Sequence, residues 1–274
     1  MQDDGKSRWQ FDISSSQSLE SCASSFPEEV DLAELAGLQS QLKRVQRRFW
    51  ATGEAALVVI FQGLDTSGKD GCIRAVGGGM DPMGFRAVGF GVPSSLERAH
   101  DFLWRVQPHL PARGQVTLMN RSYYEAVLAE RVLADDDPQA NGDWAGRYQS
   151  IRDFEAHLIR SGTRLLKCWL HVGPQEQVKR LKKRLTDPEK QWKFHPADID
   201  SWRHRARYLA YTTEALRNTH SEEAPWYILP ADDKELCRRA VCKLVLDAME
   251  AGAGPFPQAD PAVLQCYLNE LERQ

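Results

Sequence analysis

The sequence lacks any apolar run approaching the roughly 20 residues that a membrane-spanning helix needs, so no bilayer span is expected. The first 25 residues contain no apolar segment behind a basic start, so they do not read as a secretion signal, and a cytoplasmic protein is expected. Paired cysteines are also missing. Cys22, Cys72, Cys168, Cys237, Cys242 and Cys266 are scattered without a CxxC unit, which suits reduced thiols and argues against a disulfide framework or a zinc site. Nor is there an excess of positive charge. The formal net charge of −3 excludes a surface coated for general nucleic-acid binding.

What is present is a local concentration of charge. Lys179, Arg180, Lys182, Lys183, Arg184, Lys190 and Lys193 fall within fifteen residues, opposed there only by Asp187 and Glu189. A polyanionic ligand would be met here. The 274 residues suffice for one substantial core, or one core with a small mobile subdomain. Residues 1–28, rich in Ser, Asp and Gln, read as a flexible arm. Residues 29–251 form the main domain, with a lid at about 180–200, and 252–274 form a C-terminal helical extension. The apolar spacing over 32–50 predicts an amphipathic helix. The continuous run 55–61 predicts a strand buried on both faces. Further strands are expected at 85–92, 116–119, 165–172 and 226–229. Helices are expected between and after them, at 95–106, 123–133, 148–161, 175–185, 202–217 and 233–251. This alternation predicts a parallel sheet with helices on both faces. The acidic segment 134–146 reads as a surface loop.

The first strand runs into Gly63-Leu-Asp-Thr-Ser-Gly-Lys-Asp-Gly71, where Gly63, Gly68 and Lys69 have the GxxxxGK spacing of a phosphate loop. Such a loop turns backbone N–H groups toward one point, with the positive end of a helix behind them. Thr66, Ser67, Gly68, Asp70, Gly71 and Arg74 are therefore candidate phosphate-binding residues beside Lys69. The hydroxyl residue that commonly follows the lysine and binds Mg²⁺ is replaced by Asp70. Asp65 is read as a Mg²⁺ ligand or phosphate-orienting group; the alternative is that Asp65 or Asp70 caps the following helix.

A second strand delivers Asn120-Arg-Ser-Tyr-Tyr-Glu125 at its carboxyl end, where open α/β sheets bind ligands. Asn120 can hydrogen-bond or coordinate without charge, and Arg121 can clamp a phosphate through two parallel hydrogen bonds. Glu125 is expected one helical turn on, pointing back to the pocket. The alternative for Arg121 and Glu125 is a structural ion pair. The basic segment around Lys183, Arg184, Lys190 and Lys193 is broken by Asp187-Pro188, as in lids that close over transferring phosphates. Trp192 and Phe194 are expected to anchor it to the body, the alternative being that they stack on a base.

Together these segments resemble polyphosphate kinase family 2. The resemblance runs through 61–74, 100–105, 110–114, 120–132, Asp187-Pro-Glu-Lys-Gln-Trp-Lys-Phe194 and Ala224-Pro-Trp-Tyr-Ile-Leu-Pro-Ala-Asp232, covering about 32–251. It implies a phosphate-loop kinase fold like that of thymidylate kinase. It also implies Mg²⁺-dependent phosphoryl transfer between inorganic polyphosphate and nucleoside mono- or diphosphates. The implied catalytic residues are Asp65, Lys69, Asn120, Arg121, Glu125 and Arg184, with Asp65 on the metal. Asn120 and Glu125 resemble the branch that accepts AMP and ADP; GMP and GDP are further candidates, and a homo-oligomer is expected. An ATP-dependent nucleoside monophosphate kinase and a non-catalytic sensor are the competing readings. Four positions depart from the family pattern: Cys72, His195, Arg205 and Thr212. His195 replaces a helix-capping Ser, with an expected local loss of roughly 1 kcal/mol.

Overall fold

The structure, a computed structural model, describes residues 9–12, 18–135 and 142–273. Its centre is a five-stranded sheet in the order β2-β3-β1-β4-β5, with every pairing parallel. The strands are β1 (Ala56–Gln62), β2 (Phe85–Gly89), β3 (Val116–Asn120), β4 (Thr163–His171) and β5 (Trp226–Pro230). Every residue of β1 is buried, as its unbroken apolar run requires. The chain leaves β1 toward β2 on one side and later returns to β4 on the other. This reversal opens a crevice at the carboxyl ends of β3, β1 and β4.

Helices cover the sheet. Helix α1 (Leu35–Thr52) buries Leu38, Leu42, Val45 and Phe49 on one stripe and ends at Gly53, whose φ of 58° closes the last turn. Helix α2 (Lys69–Gly77) follows the phosphate loop. Short helices α3 (Ser95–Arg98) and α4 (Ala129–Ala134) precede the long α5 (Trp144–Arg160). The basic segment read as a lid falls in α6 (Pro174–Thr186), α7 (Pro188–Gln191) and α8 (Pro196–Arg203), and leads into α9 (Arg205–Thr219). Helix α10 (Lys234–Glu250) is capped by Asp233 and packs on both α1 and α2.

Several expectations need adjustment. The long helix read over 95–106 is one turn, opened by the Ser94–Glu97 capping box, followed by tight turns in which the Asp101 carboxylate accepts from Leu103 N and Trp104 N in place of helical bonding. The helix read over 123–133 begins as a 3-10 turn at Tyr123–Val127 before α4, so Glu125 lies in that tighter turn. The final lid helix breaks at His204.

The N-terminal arm expected to be flexible is docked along its described residues. Phe11 donates its backbone N–H to Trp226 at 2.8 Å and Gln10 bridges Tyr227 antiparallel, so the arm covers the exposed edge of β5. Trp9, Phe11 and Leu19 are buried in the core. Apolar anchors set in a polar segment account for this. Residues 1–8 and 13–17 of that arm, and 136–141 of the acidic loop, lie outside the described residues. At the other end, helix α11 (Pro261–Leu271) is exposed throughout.

Candidate functional site

The phosphate loop is shaped by glycine. Gly63 adopts φ 153°, and a Cβ there would meet Leu170 O and Ser67 Oγ at 2.7 Å each; Gly68 adopts φ 107° as the N-cap of α2. Thr66 also enters left-handed space, with φ 67°, a conformation that costs about 1–3 kcal/mol and persists only where the surroundings enforce it. The enforcing group is Arg180 of α6. Its guanidinium donates to Thr66 O (3.0 Å) and Ser67 O (3.2 Å), to Ala231 O (2.6 Å) and Asp232 O (2.9 Å), and through Nε to Glu176 (2.8 Å). With the loop carbonyls turned toward Arg180, the first amides of α2 are left without intrahelical partners at the open side.

Lys69 is buried and curls back to donate to Gly63 O (2.7 Å) and Leu64 O (3.1 Å). Burial, reinforced by the nearby positive charge of Arg121, pushes its pKa down to about 8. The hydroxyls of Thr66 and Ser67 and the Oδ1 of Asn120 are buried with no protein partner. A built site for an oxygen-rich ligand or its counter-ion leaves such groups open.

Arg121 stands at the end of β3 in left-handed conformation (φ 64°), with its N–H donated to Phe61 O at 2.9 Å. Its two terminal nitrogens reach Asp65 and Glu125, each at 2.6 Å. The ion pair between Arg121 and Glu125 left open by the sequence is therefore formed, and Asp65 completes it as a second carboxylate. Glu125 and burial act oppositely on Arg121, and the carboxylates hold its pKa above the ordinary arginine value. Burial works to raise the Asp65 pKa but is outweighed by Arg121 and Lys69, which hold it below the usual carboxylate range. Ser201 of α8 and Tyr208 of α9 line the same small cleft.

Asp70 does not cap α2, whose N-cap is Gly68. Its carboxylate instead accepts from Asn120 Nδ2 and from Lys193 Nζ of the lid, both at 2.7 Å. Asp65 makes no cap either. Arg184 is held by Asp198 at 2.8 Å, and Lys190 is paired with Asp187 within the lid. Trp192 was expected to anchor the lid, but it is 76% exposed; its indole N–H bonds only to Glu189 O, one turn back, because the four-residue α7 presents that face to solvent. Phe194 is partly buried.

On the α2/α10 side of the loop lies a cleft of about 310 Å³. Every phosphate-loop residue from Thr66 to Gly71 lines it, with Arg74, Lys183, Arg184, Lys190 and Lys193. Arg180, Lys234 and Arg238 line it too and were missed as site residues by the sequence reading. Lys234 and Arg238 had a legible signal. They stand four apart at the start of the helix that leaves β5, so they share one face beside the carboxyl ends of the strands. Nothing in a single sequence separates Arg180 from its basic neighbours, because its role rests on carbonyls contributed by two distant loops.

The departures at 195, 205 and 212 also have structural answers. His195 caps α8 after all: its Nδ1 accepts from Ala197 N (3.2 Å), while Asp198 accepts from His195 N (3.2 Å), so the expected loss is made good by an imidazole. Arg205 ties α9 to Gln177 (2.6 Å) and Val172 O (2.7 Å), and Thr212 is buried with its hydroxyl returned to Tyr208 O.

Residues 26–255 match the family model described as Polyphosphate kinase 2. The chain belongs to that family. An ADP-polyphosphate phosphotransferase of Rhodopseudomonas palustris is 40% identical over 237 residues, covering 82% of each chain. An AMP/ADP-polyphosphate phosphotransferase of Meiothermus ruber is 39% identical over 234 residues, covering 85% of this chain and 86% of the relative. The crystal structure of polyphosphate kinase 2 from Arthrobacter aurescens TC1 superposes with a TM-score of 0.88 at 32% identity, covering 98% of this chain and 97% of the other. As a polyphosphate kinase of type 2, the chain is a phosphotransferase on a phosphate-loop kinase fold. Among the described residues, no helix is long and apolar enough to cross a membrane.

Proposed function

We propose that the enzyme moves the terminal phosphoryl group of inorganic polyphosphate onto an adenine nucleotide, AMP or ADP, in the cytoplasm. The observation that carries this reading is the division of the site by the phosphate loop. One side is the wide cationic cleft from Lys69 to Lys183, Lys234 and Arg238, suited to several consecutive phosphates. The other is the narrow cleft in which Arg121 is set between Asp65 and Glu125. Polyphosphate lies in the first and the nucleotide's terminal phosphate enters the second, so the reacting oxygen and phosphorus meet at Lys69.

Phosphoryl transfer needs alignment and charge neutralisation more than covalent chemistry. The α2 amides and Lys69 stabilise the equatorial oxygens, and Arg121 exchanges a carboxylate contact for the acceptor phosphate. Arg184 and Lys193 bring the lid's charge over the transferring group. Magnesium suits these carboxylates: Asp65, with Glu125 beside it, would hold the ion through carboxylate oxygens, and the ion would neutralise phosphate charge.

Helix α11 supports a homo-oligomer. Val263, Leu264, Tyr267, Leu268 and Leu271 share one face and are all exposed, while Gln265, Asn269 and Glu272 occupy the other. A truncation ending at residue 251 that keeps the molar mass of the full chain by light scattering removes that support. The catalytic reading is tested by resolving the products of Mg²⁺, polyphosphate and AMP, ADP, GMP or GDP. Adenine nucleotides gaining phosphate only when polyphosphate is present is the expected result; acceptor phosphorylation from ATP alone would favour a nucleoside monophosphate kinase.

A further inference from the structure

Beneath the segment that carries Arg121 lies a buried polar cluster with no access to substrate. Glu155 of α5 and Lys167 of β4 form an ion pair at 2.7 Å with side chains 4% and 0% exposed. The hydroxyls of Tyr123 and Tyr124 both donate to Glu155 Oε1 at 2.7 Å. Lys167 donates further to Thr219 O (2.7 Å) and to Tyr124 Oη (3.2 Å). Burial, and then the carboxylate of Glu155, push both tyrosine pKa values well above the ordinary one, so both hydroxyls remain donors.

A buried ion pair is a poor source of stability, since apolar side chains of similar volume often serve as well or better. Its location suggests another use. Tyr123 and Tyr124 follow Arg121 by two and three residues, and Arg121 holds a left-handed conformation that its own side chain does not favour. Upstream the segment is fixed by the β3 register and by the Arg121 N–H bond to Phe61 O. Downstream its polar anchors to the body are the two tyrosine hydroxyls on one carboxylate, joined by Gln62 on Ser122 Oγ (3.5 Å) and Arg147 on Ala126 O.

We propose that Glu155, fixed by Lys167, is a positioning residue for phosphoryl transfer: by clamping Tyr123 and Tyr124 it holds Arg121 and Glu125 in the geometry that faces Asp65. This rests on the reading of Arg121 as a phosphate-contacting group. A carboxylate suits the task because it accepts from both hydroxyls and the ammonium at once. Lys167 fixes the carboxylate from its other side, donating to Oε2 at 2.7 Å.

The test compares Tyr123→Phe/Tyr124→Phe, Glu155→Gln and the apolar pair Glu155→Leu/Lys167→Met in the full chain. Turnover is measured well below each unfolding midpoint, together with amide exchange of the peptide covering residues 116–128. The double phenylalanine variant is expected to lose tenfold or more in kcat while KM for polyphosphate stays within about twofold. Its exchange should rise within residues 120–128 and not in the sheet. The apolar pair is expected to recover the midpoint lost in Glu155→Gln without recovering kcat. Wild-type kcat in the double phenylalanine variant, or kcat returning in step with the midpoint, overturns the proposal. Should the wild-type chain show no turnover, it is the functional reading that has failed. The exchange then decides the positioning role: a local rise upholds it, and an unchanged or global pattern rejects it.

Discussion

Lys193 of the basic segment between α7 and α8 and Asp70 of the phosphate loop are joined at 2.7 Å, so that segment is latched to the loop. The same carboxylate accepts from Asn120, which ties the latch to the end of β3. An acid inside an anion-binding loop opposes polyphosphate, and it also occupies the lid cation that polyphosphate would otherwise take. Asp70→Asn is therefore expected to tighten polyphosphate binding by about three- to tenfold at low salt, with the gain shrinking as salt rises. Titration calorimetry at two ionic strengths measures both. Unchanged or weaker binding would mean that the latch does not compete with the substrate.

Arg121→Lys keeps the charge but gives up the planar fork that reaches Asp65 and Glu125 together. A fall of about 100-fold in kcat/KM for the nucleotide is expected, within the range seen when one preorganised charge-stabilising donor is removed. Steady-state kinetics on the folded variant provide the check. A loss under threefold would return Arg121 to a purely structural ion pair.

Lys69 gives a pH signature with a definite sign. Its folded pKa of about 8 lies below that of an unfolded lysine, roughly 10.4. Between those values the unfolded chain binds more protons, so this group makes stability rise with pH there; below pH 8 its buried charge is a constant penalty. Lys69→Met removes the penalty. Its stability relative to wild type is expected to be greatest at pH 7 and to decline toward pH 10 in denaturant titrations. Polyphosphate affinity of the free wild-type enzyme should weaken above pH 8 as the charge is lost. A stability difference that does not vary with pH would contradict the buried, charged state.

Arg180 serves the loop through carbonyls alone, so its removal should damage structure and binding together. Arg180→Ala leaves Thr66 O, Ser67 O, Ala231 O and Asp232 O without their donor. Unfolding free energy is expected to fall by about 2–4 kcal/mol, with polyphosphate affinity reduced in the fraction that remains folded. Arg180→Lys should restore part of the stability and little of the binding, because one ammonium cannot span two loops. Thermal unfolding and calorimetry separate the two effects.

The sheet and the phosphate loop were legible in the sequence because each is written locally. Val58, Val59 and Ile60 form an unbroken apolar run, and Gly63, Gly68 and Lys69 sit at a spacing that few other structures require. The same holds for the end of β3, where Asn120 and Arg121 lie beside the loop as expected. What stayed hidden depends on partners far apart in the chain. Trp9 and Phe11 read as part of a polar arm, yet they lie buried along β5. Arg180 looked like one more lid cation until the carbonyls of Thr66 and Ala231 were seen to converge on it. His195 shows a limit of residue-type preference, since an imidazole nitrogen accepts the bond that a serine hydroxyl ordinarily would.

The most direct test of the account is a single incubation of purified protein with Mg²⁺, polyphosphate and AMP, with products resolved by chromatography and ATP excluded. The account predicts ADP and ATP in amounts that depend on polyphosphate and vanish in Lys69→Met. AMP recovered unchanged by wild-type protein that binds polyphosphate, with ADP and the reverse direction equally silent, would contradict it and leave a phosphate loop that binds without transferring.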